Sequence, residues 1–100
     1  MDDLYAKFLP RFITLARARV AMSISKIESR DPREQALVPV ELHTLAGEAG
    51  LLGLKQVVPL AQACEQKAKA LHSSRADADA ESLLAALHQL ASAIEEVSKA

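Results

Sequence analysis

The sequence is poor in the residues that build disulfide frameworks, zinc sites and large aromatic cores. It has no tryptophan, one cysteine, three glycines and three aromatic residues in a chain of 100. A lone cysteine, Cys64, allows neither an internal disulfide nor a cysteine zinc site, and we interpret it as a small core residue. Charges interrupt every apolar run well before the ~18 residues that a membrane span requires. These absences leave a small domain whose core is built from aliphatic residues.

Charge of a single sign is also missing. Twelve basic residues face thirteen acidic ones, giving a formal net charge of −1, and no basic stripe suited to a phosphate backbone is present. The first residues, MDDLYAKF, lack the basic and apolar regions of a signal peptide. We therefore expect a cytoplasmic protein that binds neither nucleic acid nor membrane.

Half of the residues are hydrophobic, and in the first half of the chain they recur at helical spacing. We expect Pro10 to separate a short first helix from a longer one, which buries residues such as Leu15. Asp31 is predicted to cap a new helix, with Glu34 completing a capping box. A break near Pro39 then starts the next element.

The second half contains two more helical patterns. One is predicted from Leu54 to about His72, with an irregularity at Pro59. A loop over 73–78 follows, and Asp77 or Asp79 would cap a last helix that carries a regular leucine stripe. The chain is thus predicted to be one all-α domain, 1–100, an antiparallel four-helix bundle with one or two short additional N-terminal helices.

One stretch, Leu42 to Leu54, combines a histidine with all three glycines in the sequence LHTLAGEAGLLGL. At about 100° per residue, His43, Ala46, Gly47 and Gly50 share one stripe of a helix. Glycine within a helix costs up to ~1 kcal/mol relative to alanine. We infer that this stripe stays small so that another surface can approach the histidine.

The spacing of His43, Gly47, Gly50 and Gly53 resembles the phosphoacceptor motif of histidine phosphotransfer (HPt) domains, H-x-L-K-G with further glycines three and six residues on. Leu45 stands at the aliphatic position of that motif. The resemblance implies a phosphorelay intermediate. It would accept a phosphoryl group on His43 and pass it to or from the aspartate of a response-regulator receiver domain.

Two residues depart from the family motif. Ala46 stands in place of the usual lysine, and Glu48 replaces the small residue that usually follows the first glycine. The resemblance nevertheless continues through the predicted helix 54–71, and in length and helix order it extends over the whole chain.

The register of the hairpin formed by residues 39–72 selects a partner for the histidine. If Gly53 ends one helix and a very short turn starts the next, position 43 faces roughly position 63. Gln62 and Glu65 are the nearest polar residues. In HPt domains of the chemotaxis-kinase type a glutamate on the second helix binds the imidazole, and Glu65 matches it. We assign imidazole orientation to Glu65, with Gln62 as the alternative.

The resemblance also implies the partners. Ala46, Gly47 and Gly50 would form the docking surface for a receiver domain, which would itself supply magnesium. A hybrid sensor histidine kinase or a chemotaxis-type kinase would be the other partner. The chain itself is expected to be a monomer with no metal, no cofactor and no independent catalytic machinery, since no nucleophile–base pair or phosphate loop appears.

Two other functions remain open at this point. The chain could be a non-catalytic helical adaptor whose small stripe packs against a partner helix. It could also be an HPt-like domain that mainly binds receivers and is weakly phosphorylated, because Ala46 replaces the lysine. Gln62 or a nearby lysine such as Lys69 could instead supply the function of the missing lysine, or the partner could provide all of the charge neutralisation. His72 and His88 are interpreted as ordinary surface or partly buried histidines.

Overall fold

Four long helices and one short helix make up the fold. The structure, a computed structural model, describes the backbone of residues 2–99 and the side chains of residues 5–99. The helices are α1 (Asp2–Glu28), α2 (Pro32–Gln35), α3 (Val38–Leu51), α4 (Val58–Ser74) and α5 (Asp77–Lys99). The described residues contain no strand. The predicted all-α bundle is confirmed, with α2 as its single short helix.

The long helices form a closed ring in which α1 packs against α3 and α5, and α4 packs against the same two helices. Two ion pairs give the relative direction of α1 and α5. Arg17 near the middle of α1 binds Glu95 near the end of α5, whereas Arg30, just after α1, lies 4.0 Å from Asp77 at the start of α5. These two helices therefore run antiparallel, and the bundle measures 44 × 19 × 18 Å.

The core is aliphatic, as the scarcity of aromatic residues predicts. Phe12 is buried, whereas Tyr5 and Phe8 are exposed. The predicted leucine stripe of α5 is confirmed, since its main members are buried: Leu83, Leu87, Leu90, Ile94 and Val97. Alanines occupy many of the remaining core positions and let the helices approach closely.

The first helix differs from the prediction at two residues. Pro10 does not divide it, because α1 runs unbroken from Asp2 to Glu28. Pro10 is exposed, so the carbonyl group left without a backbone donor can face water. Leu15 is 37% exposed, although the helical spacing predicts that it is buried. The buried stripe instead runs through Phe12, Ala16 and Val20, which places Leu15 at its edge.

The prediction for the connection before α3 is partly right. Asp31 caps α2 by accepting a 2.9 Å hydrogen bond from the backbone N–H of Arg33. Glu34 does not complete a capping box, because the backbone N–H of Asp31 donates to Ser29 Oγ at 3.2 Å instead. Pro39 lies in the first turn of α3, where a backbone N–H has no helical partner to lose.

The connection between α3 and α4 is longer than predicted. Gly53 has a φ of +68°, the left-handed conformation that ends many helices and suits glycine. However, α4 begins at Val58 rather than Leu54. Leu54 and Val57 are buried in the connection, so these residues belong to the core. Pro59 lies in the first turn of α4 and causes no irregularity within it.

The last connection is shorter than the predicted loop over residues 73–78. Helix α4 continues to Ser74 and ends at Arg75, which has a left-handed φ of 56°. Helix α5 begins at Asp77, so Asp77 and Asp79 lie in its first turn instead of capping it from outside. Acidic side chains there still interact favourably with the helix dipole.

Candidate functional site

The His43 side chain points out of the bundle. Its neighbours Leu42 and Leu45 are fully buried and fix the rotation of α3 against the core. The side chain of His43 is 76% exposed. The helix therefore packs against the core beside this residue, while the imidazole itself is open to solvent.

Glu65 of α4 binds the imidazole of His43. The Nδ1 atom of His43 lies 3.1 Å from Oε2 and 3.3 Å from Oε1 of Glu65. The predicted meeting of these two side chains at hydrogen-bonding distance is confirmed. The longer connection explains why residue 65, and not 63, lies at the level of His43.

Gln62, the alternative partner, lines the same cavity as His43. Among the described residues, the imidazole of His43 forms its hydrogen bonds with Glu65 and not with Gln62. Gln62 therefore lies near the histidine without orienting it in this structure.

Glu65 has a second donor, Lys69, one turn further along α4. The Nζ atom of Lys69 lies 3.2 Å from Oε2 of Glu65, the oxygen nearest to His43. Only 8% of Glu65 is exposed. Burial by itself raises the pKa of Glu65, but the hydrogen bonds from Lys69 and His43 outweigh it and hold that pKa below its ordinary value. Glu65 is thus an ionised carboxylate at neutral pH.

An ionised carboxylate can only accept hydrogen bonds, so it fixes the tautomer of a neutral imidazole. With Glu65 at Nδ1, the proton of His43 lies on Nδ1 and the lone pair on Nε2. No described side chain forms a hydrogen bond with Nε2. The site therefore presents an exposed, nucleophilic nitrogen.

A cavity of about 710 Å³ lies beside the imidazole. It is lined by residues of both hairpin helices: His43, Ala46, Gly47, Gly50, Val58, Gln62, Glu65, Gln66 and Lys69. A Cβ added to Gly47 or Gly50 would meet no atom within 4 Å. Packing within the chain therefore does not require these glycines, and their effect is to leave space next to His43.

The three predicted docking residues differ in exposure. Gly47 and Gly50 are exposed on the outer side of α3. Ala46 is only 8% exposed and lines the inner wall of the cavity, between α3 and α4. A partner would therefore touch the glycines first, and Ala46 only if one of its side chains enters the cavity.

The sequence reasoning missed a charged contact that holds α3 in place. Arg19 of α1 lies 3.3 Å from Glu41 and also binds Glu48. Residues seven apart on a helix share a face, so the pair Glu41 and Glu48 was the available signal. Glu48, a departure from the family motif, thus anchors the back of the histidine helix.

The other reactive residue types lie apart from this site. His72 and His88 are both exposed. Cys64 is fully buried, and burial raises the pKa of its thiol to about 11, which confirms its interpretation as a core residue. Among the side chains of residues 5–99, no group of three or more histidine, cysteine or acidic residues is arranged to hold a metal ion. No helix within residues 2–99 has the length and apolar character of a membrane span.

Comparisons with known proteins give one finding. Searches of curated proteins and of solved structures found no match. The family model of the Hpt domain matches residues 12–100, which include all of α3, α4 and α5 together with His43 and Glu65. Hpt domains are phosphotransfer modules of two-component signalling that interact with receiver domains and kinases. With its helical bundle and its outward-facing histidine, the chain belongs to the Hpt domain family.

Proposed function

We propose that His43 is the phosphoacceptor and that the chain exchanges a phosphoryl group with the aspartate of a receiver domain. The observation that carries this proposal is the hydrogen bond between Nδ1 of His43 and Glu65 at 3.1 Å, which leaves Nε2 unprotonated. His72 and His88 are exposed as well, but neither has a hydrogen bond to a carboxylate among the described residues.

In this reaction the bundle supplies the nucleophilic nitrogen of His43 and holds it in position. The lone pair of Nε2 attacks phosphorus, the P–O bond to the receiver aspartate breaks, and that oxygen leaves as a carboxylate. The Nδ1 proton stays between His43 and Glu65 throughout, so the imidazole needs no further base. Transfer of this kind depends mainly on positioning and charge neutralisation. Magnesium would be held by the receiver domain.

The surface around His43 is suited to a docked protein. Besides the open space at Gly47 and Gly50, the outer side of α3 exposes two large apolar side chains. Val40 is 62% exposed and Leu51 is 89% exposed. Exposed aliphatic residues beside a small-residue stripe favour a protein partner over a small molecule.

A second cavity extends this surface toward α1. It has a volume of about 350 Å³ and includes Phe8, Leu15 and Leu51 in its lining. Gly50 lines the His43 cavity, and Leu51 is the next residue in the chain. A receiver domain seated over His43 would therefore reach this apolar groove, and we include the groove in the proposed docking surface.

The test is phosphoryl transfer to the purified chain. We expect incubation with phosphorylated receiver domains, or with a hybrid kinase and ATP, to yield one acid-labile, alkali-stable phosphate per chain. His43→Gln should remove it, while the matched controls His72→Gln and His88→Gln should keep it. Labelling that survives in His43→Gln would refute the assignment. Receiver binding without any labelling of the wild type would instead identify an adaptor.

A further inference from the structure

The proposed function does not use the second hydrogen-bond donor to Glu65, which is Lys69. Oε2 of Glu65 lies 3.1 Å from Nδ1 of His43 and 3.2 Å from Nζ of Lys69. One oxygen atom thus joins the histidine on α3 to a lysine on α4. The spacing of four residues places Lys69 one turn beyond Glu65 on the same face of α4.

The proposed phosphohistidine would bring a second negative group close to the Glu65 carboxylate. A phosphoryl group adds a charge of about −1.5 to −2 near neutral pH. Glu65 already places a carboxylate at the other nitrogen of the ring, and Glu65 is only 8% exposed. Water screens a buried charge poorly, so the two negative groups repel each other unless a cation lies close by.

Among the described residues that line the His43 cavity, the single lysine or arginine is Lys69. Position 46, where a lysine would face the same cavity from α3, is alanine. Lys67, the other lysine nearby on α4, donates to Ser82 Oγ of α5 at 2.8 Å and does not line the cavity. The side chain of Lys69 is 55% exposed, so its ammonium group can move along the open edge of the site.

We propose that Lys69 is the charge-bearing positioning residue of this site and takes the place of a lysine at position 46. It clamps Glu65 on Nδ1 of His43 in the resting state, and it offsets the negative charge of the phosphoryl group once that group is bound at Nε2. Only the role of Lys69 toward the bound phosphoryl group rests on the proposed function. The clamp concerns the unphosphorylated protein and can be tested without a partner.

The first measurement is the tautomer of His43, read from ¹H–¹⁵N NMR spectra of the free protein. We expect the wild type to carry its proton on Nδ1 and Lys69→Gln to populate the Nε2–H form. Lys69→Arg should retain the wild-type tautomer because it keeps the charge. Lys67→Gln is the matched control and should also resemble the wild type. An unchanged tautomer in Lys69→Gln would overturn the clamp.

The second measurement is the rate of phosphorylation and the half-life of the phosphohistidine. Mutation of the groups that orient metal-ligating histidines typically lowers activity 10- to 100-fold, and by the same reasoning Lys69→Gln should slow transfer at least about tenfold. Lys69→Arg should restore most of the rate, and so should the double variant Ala46→Lys/Lys69→Gln, which moves the cation to α3. Circular dichroism would verify that each variant is folded.

The outcomes separate this inference from the proposed function. A wild type that takes no phosphate refutes the function, and the tautomer alone then decides the role of Lys69. Normal transfer in Lys69→Gln, or equal losses in Lys69→Gln and Lys67→Gln, would overturn the charge role. A rate that Lys69→Arg fails to restore would also overturn it.

Discussion

Glu48, the residue directly after the first motif glycine, binds Arg19 of α1 across the back of the histidine helix. Arg19 is only 21% exposed and also contacts Glu41 at 3.3 Å. The three side chains tie α3 to α1 on the side away from Glu65. The residue that departs from the family motif thus helps to fix the orientation of the helix that carries His43.

Arg19→Ala should therefore lower the free energy of unfolding by about 1 kcal/mol, because it removes both contacts of a small network. Glu48→Ala should cost less, since Arg19 keeps Glu41. Urea denaturation measures both effects, and a double-mutant cycle isolates the coupling. The loss in Arg19→Ala should shrink at high salt. Equal losses in Arg19→Ala and Glu48→Ala would show that Glu41 contributes nothing.

Replacing the glycines with alanine should have opposite effects on stability, depending on the position. At Gly47 and Gly50 a Cβ meets no atom within 4 Å, so Gly47→Ala and Gly50→Ala should each stabilise the protein by about 0.5 to 1 kcal/mol through helix propensity. Gly53 has a φ of +68°, and Gly53→Ala should destabilise by about 1 kcal/mol. Thermal denaturation distinguishes the two classes.

Gly50→Leu extends the same argument to docking. It should leave the fold intact but weaken transfer and receiver binding, since a branched side chain would fill the space beside His43. Unchanged receiver affinity in this variant would remove the docking role of the open stripe. Gly50→Ala, with its much smaller side chain, is the graded control.

The pairing of His43 with Glu65 was predicted more accurately than the helix boundaries. Helical periodicity and a glycine stop fix a register to within about a turn, which brought Gln62 and Glu65 near His43, and the resemblance to HPt domains selected Glu65 of the two. The predicted break at Pro10 is wrong because the cost of proline within a helix depends on whether the freed carbonyl group reaches water. The sequence pattern near Pro10 carries no information on that exposure.

Lys69 and Arg19 show what local patterns leave undetermined. Lys69 binds Glu65 one turn away on α4, and Arg19 binds two glutamates of α3 from α1. Both side chains could equally have pointed into water. Lysine and arginine are usually surface residues, so the sequence offered Lys69 only as one of several candidates and gave little reason to place Arg19 beside the motif. The direction of each side chain is settled only when the helices are packed.

Leu45 and Leu51 form a matched pair on α3. Leu45 is fully buried, and Leu51 is 89% exposed. Leu45→Ala should lower the free energy of unfolding by about 2 to 5 kcal/mol by opening a cavity in the core. Leu51→Ala should change it by less than about 0.5 kcal/mol and should instead weaken receiver binding. If Leu51→Ala binds receivers normally, the groove is not part of the docking surface.

Cys64 should be inert in the folded protein. It is fully buried, and burial raises the pKa of its thiol to about 11, so at pH 8 little reactive thiolate exists and reagents cannot reach it. A disulfide reagent should modify Cys64 rapidly in denaturant and slowly in buffer. The slow rate should follow global or local unfolding. Rapid modification of the native protein would place Cys64 nearer to the surface.

Because of Glu65, the free energy of unfolding of the bundle should fall at acidic pH. Its pKa is lowered in the folded state, because the hydrogen bonds from Lys69 and His43 outweigh the opposing effect of burial. The unfolded chain therefore binds the proton more readily, and the stability that Glu65 contributes is present above the ordinary glutamate pKa of about 4.3. It is lost as the pH falls through the lowered value.

The measurement compares the wild type with Glu65→Gln by urea denaturation between pH 7 and pH 3. The wild type should be the more stable protein at neutral pH, and the difference should narrow as the pH falls below about 4 because Glu65 itself becomes neutral. Glu65→Ala should also slow phosphorylation of His43 without abolishing it, since the nucleophilic nitrogen remains and only its tautomer is no longer fixed. A stability difference that stays constant over this pH range would mean that packing, not charge, is what Glu65 contributes.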